Sequence, residues 1–305
     1  MELAREWARP SGGAKGAAIL AMDAMQVYRG ADIGTSKPSA AERAEVPHGG
    51  LDLVELGASF DVAQYLRHAA AFLREQGEAG RRVIIVGGTG LYFRALTRGL
   101  CEAPQGSEEL RAELAALSVE ELRGRLKAVD PGMLERVDAA NPRRLARAIE
   151  VFESTGKSLR AWQEETPEPL VRDFRAIWIQ REKGELEARL SARVEAMFAQ
   201  GWVEEVRGLV ARCGLEEVRG FAGIGYREIG EAMELRGQLR SQTEFGNEGQ
   251  GIKDLKRNIC VSTRQYAKRQ LTWFAREPSL QQVMLTGNQV LRTAVLSSAL
   301  SAFLL

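Results

Sequence analysis

The sequence is short of the residues that build metal centres and disulfide scaffolds. Its 305 residues include two histidines, His48 and His68, and three cysteines, Cys101, Cys213 and Cys260. The cysteines are far apart and form no CxxC pair, which excludes a zinc module and a disulfide framework and fits a reducing compartment. Two isolated imidazoles argue against a histidine-built metal site. No apolar run reaches the ~20 residues of a membrane span. The closest, Val290–Leu305, is interrupted by Arg292, Thr293, Ser297, Ser298 and Ser301 and reads as a terminal helix packing on the body. The N-terminus lacks the charged-then-apolar pattern of a signal peptide, so the expected location is the cytoplasm, without membrane contact. Excess charge is missing too: 42 Lys and Arg against 41 Asp and Glu leave +1. A nucleic-acid surface must therefore come from local clustering.

What is present is a 45% hydrophobic chain long enough to bury a sizeable core in one large domain or two smaller ones. Glu2–Ala8 looks helical and Pro10–Gly16 is a loop. Ala17–Met22 is a short buried strand, Ala63–Gln76 an amphipathic helix, and Val83–Val86 a β-branched run of buried-strand type. The latter ends in Gly87-Gly88-Thr89-Gly90 and leads into a helix over Leu91–Thr97. Two strand–turn–helix units imply a parallel sheet. From Ser107 to about Trp162 the pattern is helical, with stops at Asp130-Pro131 and Asn141-Pro142 and no strand candidate, so this is a helical insertion. Phe174–Gln180 alternates and resumes the sheet. Glu185–Val210 and Leu255–Phe274 are long helical patterns, and Gln242–Gly251 is a polar loop.

Four segments carry chemistry. Asp23-Ala-Met-Gln-Val-Tyr-Arg-Gly30 follows the first strand directly. In open α/β sheets ligands bind beyond the carboxyl ends of the strands. Asp23 is thus either a general base or a cap on a following helix. In the second segment, glycines after a buried strand let backbone amides approach a phosphate or base, and Thr89 places a hydroxyl at the edge that Asp23 occupies. A plain tight turn needing positive φ is the alternative. In the third, Lys253, Arg257, Arg264 and Lys268 fall at offsets of 4, 11 and 15, within one narrow helical face. Ile259, Tyr266 and Trp273 recur every seven residues on the packing side, and Lys256–Arg276 holds six basic residues and no acidic one. Such a stripe suits a phosphate backbone, or is simply solvated. In the fourth, Asn141-Pro-Arg-Arg-Leu-Ala-Arg147 opens a helix with three cations where the dipole disfavours them. That points to an external anion, or to ion pairs with Glu135, Asp138 or Glu150.

Together with Asp32-Ile-Gly-Thr-Ser-Lys-Pro38, Val46-Pro-His48, Asp130-Pro131, Gly225-Tyr-Arg-Glu228 and Thr263–Trp273, these segments in this order resemble the tRNA dimethylallyltransferase (tRNA isopentenyltransferase) family. They span most of residues 17–275. The resemblance implies an α/β fold: a P-loop-type parallel sheet core, here with the first strand and phosphate loop missing, and a helical insertion domain. Residues 1–106 and 166–282 would form the catalytic core with its basic C-terminal helices, 107–165 the insertion contacting tRNA, and 283–305 an apolar tail. It implies transfer of a dimethylallyl group from dimethylallyl diphosphate to the exocyclic amine of the adenosine 3′ of the anticodon, by a monomer using Mg²⁺. The competing reading is a non-catalytic protein that binds tRNA anticodon stem-loops. Asp23 would accept the proton and Thr89 would line the reaction channel. Asp23, Ala24, Met25, Gln26, Thr89, Arg111, Arg143, Arg144, Leu145, Ala146, Arg147, Asn258, Ile259, Cys260, Val261, Ser262 and Thr263 would touch the tRNA.

The family opens with a strand and a Gly-x-x-x-x-Gly-Lys-Ser/Thr loop that holds the diphosphate. Here Met1–Ala8 reads as the helix that follows such a loop, and Gly12-Gly-Ala-Lys-Gly16 lacks its spacing. The expectation is therefore a start lying upstream of Met1, and weak or absent turnover by the chain as written. Ala222 stands where relatives often carry Arg or Gln, and His48-Gly-Gly-Leu-Asp52 where they usually show His-His-Leu-Ile-Asp.

Overall fold

The computed structural model describes residues 1–7, 16–239 and 248–285. The chain divides into two compact units, Met1–Phe93 with Asp173–Leu305, and Arg94–Arg172.

The first unit begins with α1 (Glu2–Trp7), whose fully buried Ala4 packs on Ala17 and Ile19 of β1 (Ala17–Met22). All six residues of β1 are buried, as a Val/Ala/Leu-type run between two parallel neighbours requires. After α2 (Ala40–Glu45), the two-residue β2 (His48–Gly49) pairs with β1 on one side, Ile19 opposite His48. The crossover helix α3 (Val62–Glu78) starts at a capping box in which Asp61 accepts from the Gln64 amide and the Gln64 side chain returns the bond. Its buried Tyr65, Ala69 and Phe72 recur at helical spacing and cover the sheet. On the other side of β1 lies β3 (Arg82–Gly87), in register from Ala17 opposite Arg82 to Met22 opposite Gly87. Helix α4 (Gly90–Arg98) follows.

The second unit contains helices and, among its described residues, no strand. It comprises α5 (Glu108–Ala116), α6 (Val119–Val129), α7 (Pro131–Leu134), α8 (Pro142–Thr155) and α9 (Leu159–Glu164). Each starts at a polar cap: Ser107, Ser118, Asp130, Asn141 and Ser158 accept from amides of the first turn. Proline at the first helical position of α7 and α8 costs nothing there, since that amide has no intrahelical partner. Leu114, Leu122, Leu126, Met133, Leu145 and Ile149 form its core.

The chain then returns to the first unit through β4 (Ala176–Arg181), α10 (Lys183–Ala199), α11 (Trp202–Cys213), α12 (Leu215–Gly220), α13 (Tyr226–Leu239), α14 (Glu248–Phe274) and β5 (Leu280–Leu285). Three expectations need correction. Phe174–Gln180 does not rejoin the three-stranded sheet: β4 pairs, in parallel, with β5 alone. The helical pattern over 185–210 is two helices, broken at Gly201, whose φ of +95° no continuing helix allows. Residues 248–251 of the expected polar loop belong to α14, and 283–285 of the expected tail belong to β5. Ala8 of the expected first helix, residues 10–15 of the expected loop, residues 242–247 and Val290–Leu305 lie outside the described residues. Among those described, no strand pairs with the far edge of β3 or of β4, and Val86 and Ile179 on these strands are 54% and 45% exposed.

Candidate active site

The carboxyl ends of β1 and β3 meet at one place. The Thr89 amide donates to Met22 O (3.2 Å) and Thr89 Oγ1 accepts from the Ala24 amide (3.0 Å), so the hydroxyl is fastened to the turn that carries Asp23. Asp23 does not cap a helix. Its Oδ1 accepts from the Met25 amide at 2.7 Å and the Gln26 amide at 3.4 Å, closing a turn, and among the described residues Oδ2 has no hydrogen-bond partner. One oxygen therefore fixes the carboxylate while the other is left for a ligand. Positive φ is not why Gly87, Gly88 and Gly90 are glycines; close approach is. A Cβ at Gly87 would sit 2.1 Å from Met22 O, at Gly88 2.0 Å from the Gln270 amide, and at Gly90 2.4 Å from the Trp273 ring. The turn is pressed between β1 and α14.

That contact brings in residues the sequence reading assigned to packing. Gln270 donates to Gly88 O at 3.0 Å and is hydrogen-bonded to Tyr266. Tyr266, 37% exposed, faces the site: desolvation raises its phenol above the ordinary value, and the Asp23 carboxylate pushes the same way. Burial likewise raises Tyr92, with Tyr28 and Asp23 adding to it, and Tyr92 stacks on Tyr65 at 3.9 Å. Arg193 of α10 completes the surround. Desolvation pulls its guanidinium down while Asp23 acts against that. Only Ile259 and Trp273 of the expected packing stripe are held inside, in the α-helical core and an aromatic cluster with Phe93 and Phe274. Seven-residue spacing alone could not separate Tyr266 from them.

A cavity of about 660 Å³ lies across the Asp32–Pro38 segment, lined by Ser36, Lys37, Arg43, Asp52, Arg193 and Gln200 among others. Neither Asp23 nor Thr89 lines it; Arg193 stands between the two places. Lys37, its side chain 1% exposed, is paired with Asp32 (2.8 Å) and Asp52 (2.7 Å). Arg43 also pairs with Asp52. Burial works to raise Asp52, but the bonds from Lys37 and Arg43 prevail and hold its carboxyl below the usual range. These charges neutralise one another, so the network is a structural brace for the segment.

The basic groups divide between the two units. In the second, Arg143 and Arg144 are exposed with no ion pair among the described residues, and Arg111 reaches Glu108 at 3.9 Å. Arg147 is spent internally on Ala103 O, Pro104 O and Glu150, the alternative left open by its sequence. Leu145 is fully buried, so its side chain belongs to the core, while Ala146 is half-buried. In the first unit, Lys253, Arg257, Arg264 and Lys268 are all exposed along α14, Arg257 beside Asp254 at 3.2 Å. Asn258 and Val261 share that exposure, Cys260 is half-buried, Ile259 is buried, and Ser262 and Thr263 bond to Glu228 and Ile259 O.

A carboxylate fixed at the edge of a parallel sheet, with Tyr266, Tyr92 and Arg193 within its electrostatic reach, is the arrangement of a candidate active site. The family model described as IPP transferase matches residues 26–277, and the chain belongs to that family. It is 43% identical over 265 residues to the tRNA dimethylallyltransferase of Methylacidiphilum infernorum, covering 87% of this chain and 77% of that one. With the tRNA dimethylallyltransferase of Geobacter metallireducens it shares 40% over 272 residues, 87% of this chain and 83% of the other. The solved tRNA isopentenylpyrophosphate transferase of Bacillus halodurans superposes with a TM-score of 0.62 at 28% identity, over 99% of this chain and 90% of that one. A eukaryotic dimethylallyltransferase solved acting on tRNA gives 0.77 at 20% identity, over 99% and 75%, which bears on the fold alone. The fold is α/β of P-loop type, and the chain is a prenyltransferase by family.

Proposed function

We propose that this chain transfers a dimethylallyl group from dimethylallyl diphosphate to the exocyclic amine of the adenosine next to the tRNA anticodon, with Asp23 as the proton acceptor. The observation that carries this is the Asp23 turn: Oδ1 is held by two backbone amides and Oδ2 is left unbonded beside Thr89. The amine nitrogen attacks the allylic carbon, the carbon–oxygen bond to diphosphate breaks, and the proton lost from nitrogen passes to the carboxylate. A base reaches such a carboxylate only after leaving the stack. Tyr266, partly exposed, offers aromatic surface beside it, and stacking on such a ring offsets unstacking. The exposed cations of α14, and separately Arg143 and Arg144 of the helical unit, suit the phosphate backbone of an anticodon stem-loop.

Mg²⁺ enters this reading as the partner of the diphosphate. Among the described residues no three His, Cys, Asp or Glu side chains converge. No described helix is long and apolar enough to cross a membrane.

The test is incorporation of labelled allyl group, by the full-length protein including any residues encoded upstream of Met1, into an anticodon stem-loop that carries either adenosine or the amine-free purine nucleoside at the target. Transfer to adenosine only is expected. Binding of both without transfer to either would leave a tRNA-binding protein and overturn the transferase reading.

A further inference from the structure

Three successive amides, those of Asp32, Ile33 and Gly34, point at one carboxylate. Glu205 of α11 accepts from Ile33 at 2.7 Å and Asp32 at 3.0 Å through Oε2, and Gly34 approaches Oε1 at 3.5 Å. Oε1 also accepts from the Tyr226 hydroxyl at 2.6 Å, and Tyr226 is fully buried at the start of α13. Convergent backbone amides of this kind form an anion-binding nest. Here a side chain of the same chain occupies it, and so ties three elements together: α11, the Gly225-Tyr226 turn and the Asp32–Pro38 segment.

The segment in turn holds a residue of the active-site turn. Gln26 Nε2 donates to Thr35 O at 3.0 Å and lies 3.4 Å from Ser36 O. Two carbonyls on one side fix which end of the carboxamide is nitrogen, so Oε1 points the other way and has no partner among the described residues. Ser36 is held at φ +53°, uncommon for a residue with a side chain, and its Oγ accepts from Arg193 at 2.7 Å. The Gln26 amide closes the Asp23 turn. Glu205 thus reaches the Asp23 turn through two relays, each a hydrogen bond on defined atoms.

We propose that Glu205 is a positioning residue for RNA recognition: by filling the amide nest at Asp32–Gly34 it holds the Thr35 and Ser36 carbonyls where they orient Gln26, which then offers its Oε1 as an acceptor to a donor on a base. This rests on the functional reading above in taking the ligand to be an RNA loop. An alanine at 205 leaves the nest amides without the carboxylate that pairs them, and the segment relaxes. Gln26 then turns freely and presents donor and acceptor indifferently.

The test is a double-mutant cycle on affinity for an unmodified anticodon stem-loop, with Glu205→Ala, Gln26→Ala and the double variant measured well below their melting temperatures. Loss of a charge-assisted anchor predicts about tenfold weaker binding for Glu205→Ala. If Glu205 acts through Gln26, the double variant binds no worse than the weaker single one. Glu205→Gln keeps one oxygen for the Asp32 and Ile33 amides and is expected to recover most of the affinity. It also serves as the folded comparison if Glu205→Ala does not fold. Effects that multiply in the double variant, or an unchanged affinity in Glu205→Ala, would overturn the proposal. Absence of stem-loop binding by the unaltered chain would instead sink the functional reading itself.

Discussion

Trp202 is the side chain on which the largest single destabilisation is expected to turn. It is 1% exposed and packs edge-on to Phe198 and Tyr226. Two glycines face its ring: a Cβ at Gly225 would fall 2.1 Å from Cη2, and one at Gly34 2.3 Å from Nε1. Gly225 also has φ +93°, in the left-handed region. Gly225→Ala thus adds two costs. Overpacking a closed core costs about 1–3 kcal/mol. Placing a Cβ at positive φ adds roughly 1–2 kcal/mol. The sum is about 2–5 kcal/mol, a fall in Tm of about 4–20 °C for a chain of this size at roughly 2–4 °C per kcal/mol. Gly124 in α6 is the control, since a Cβ there meets nothing within 4 Å. Gly124→Ala is expected to stabilise by about 0.5–1 kcal/mol through helix propensity. Urea unfolding followed by tryptophan fluorescence reads both, and Trp202→Phe combined with Gly225→Ala should cost less than the two changes summed, because the shorter ring vacates the contested space. A Gly225→Ala variant within 0.5 kcal/mol of the parent, as a rough surface-like effect, would refute the packing argument.

Two further outcomes follow from the charges. Asp52 has a folded-state pKa below its unfolded value, so its contribution is complete above the unfolded value of about 3.9 and is lost as pH falls through the folded one. Asp52→Asn, which tolerates the native φ of +53°, should destabilise by about 1–3 kcal/mol at pH 7, where it unbalances buried Lys37. The deficit should shrink as pH falls below about 4 and vanish only below the folded-state value, and a pH-independent deficit would contradict the ion-pair assignment. On the helical unit, Arg143→Ala with Arg144→Ala should weaken stem-loop binding and flatten its log Kd against log salt slope by about 0.7–0.9 for each contact removed. An unchanged slope would show that neither guanidinium meets a phosphate.

The parts of the fold that sequence exposes are those where local pattern and tertiary demand agree. The buried run Ala17–Met22, the β-branched run before Gly87 and the capped helices of the insertion each carry their own signal. Strand β5 has none: Leu280-Gln-Gln-Val-Met-Leu285 neither alternates nor stays apolar, and only pairing with β4 makes it a strand. That Asp23 and Thr89 meet at one sheet edge was legible because both follow strands directly. Tyr266 was not, since an aromatic on a helix carries no mark of whether it faces a core or a carboxylate. Glu205 was invisible for another reason: its partners are backbone amides 171 to 173 residues away, and amides leave no trace in a sequence.

The account stands most directly on Asp23→Asn in the full-length protein, any residues encoded upstream of Met1 included, measured for allyl transfer and stem-loop affinity in the same preparations. Asparagine keeps an oxygen for the Met25 and Gln26 amides but cannot take the proton. The expected result is transfer reduced by about 10²–10⁴-fold with Kd within about threefold of the parent. Undiminished transfer by the Asp23→Asn chain would contradict the assignment of the base.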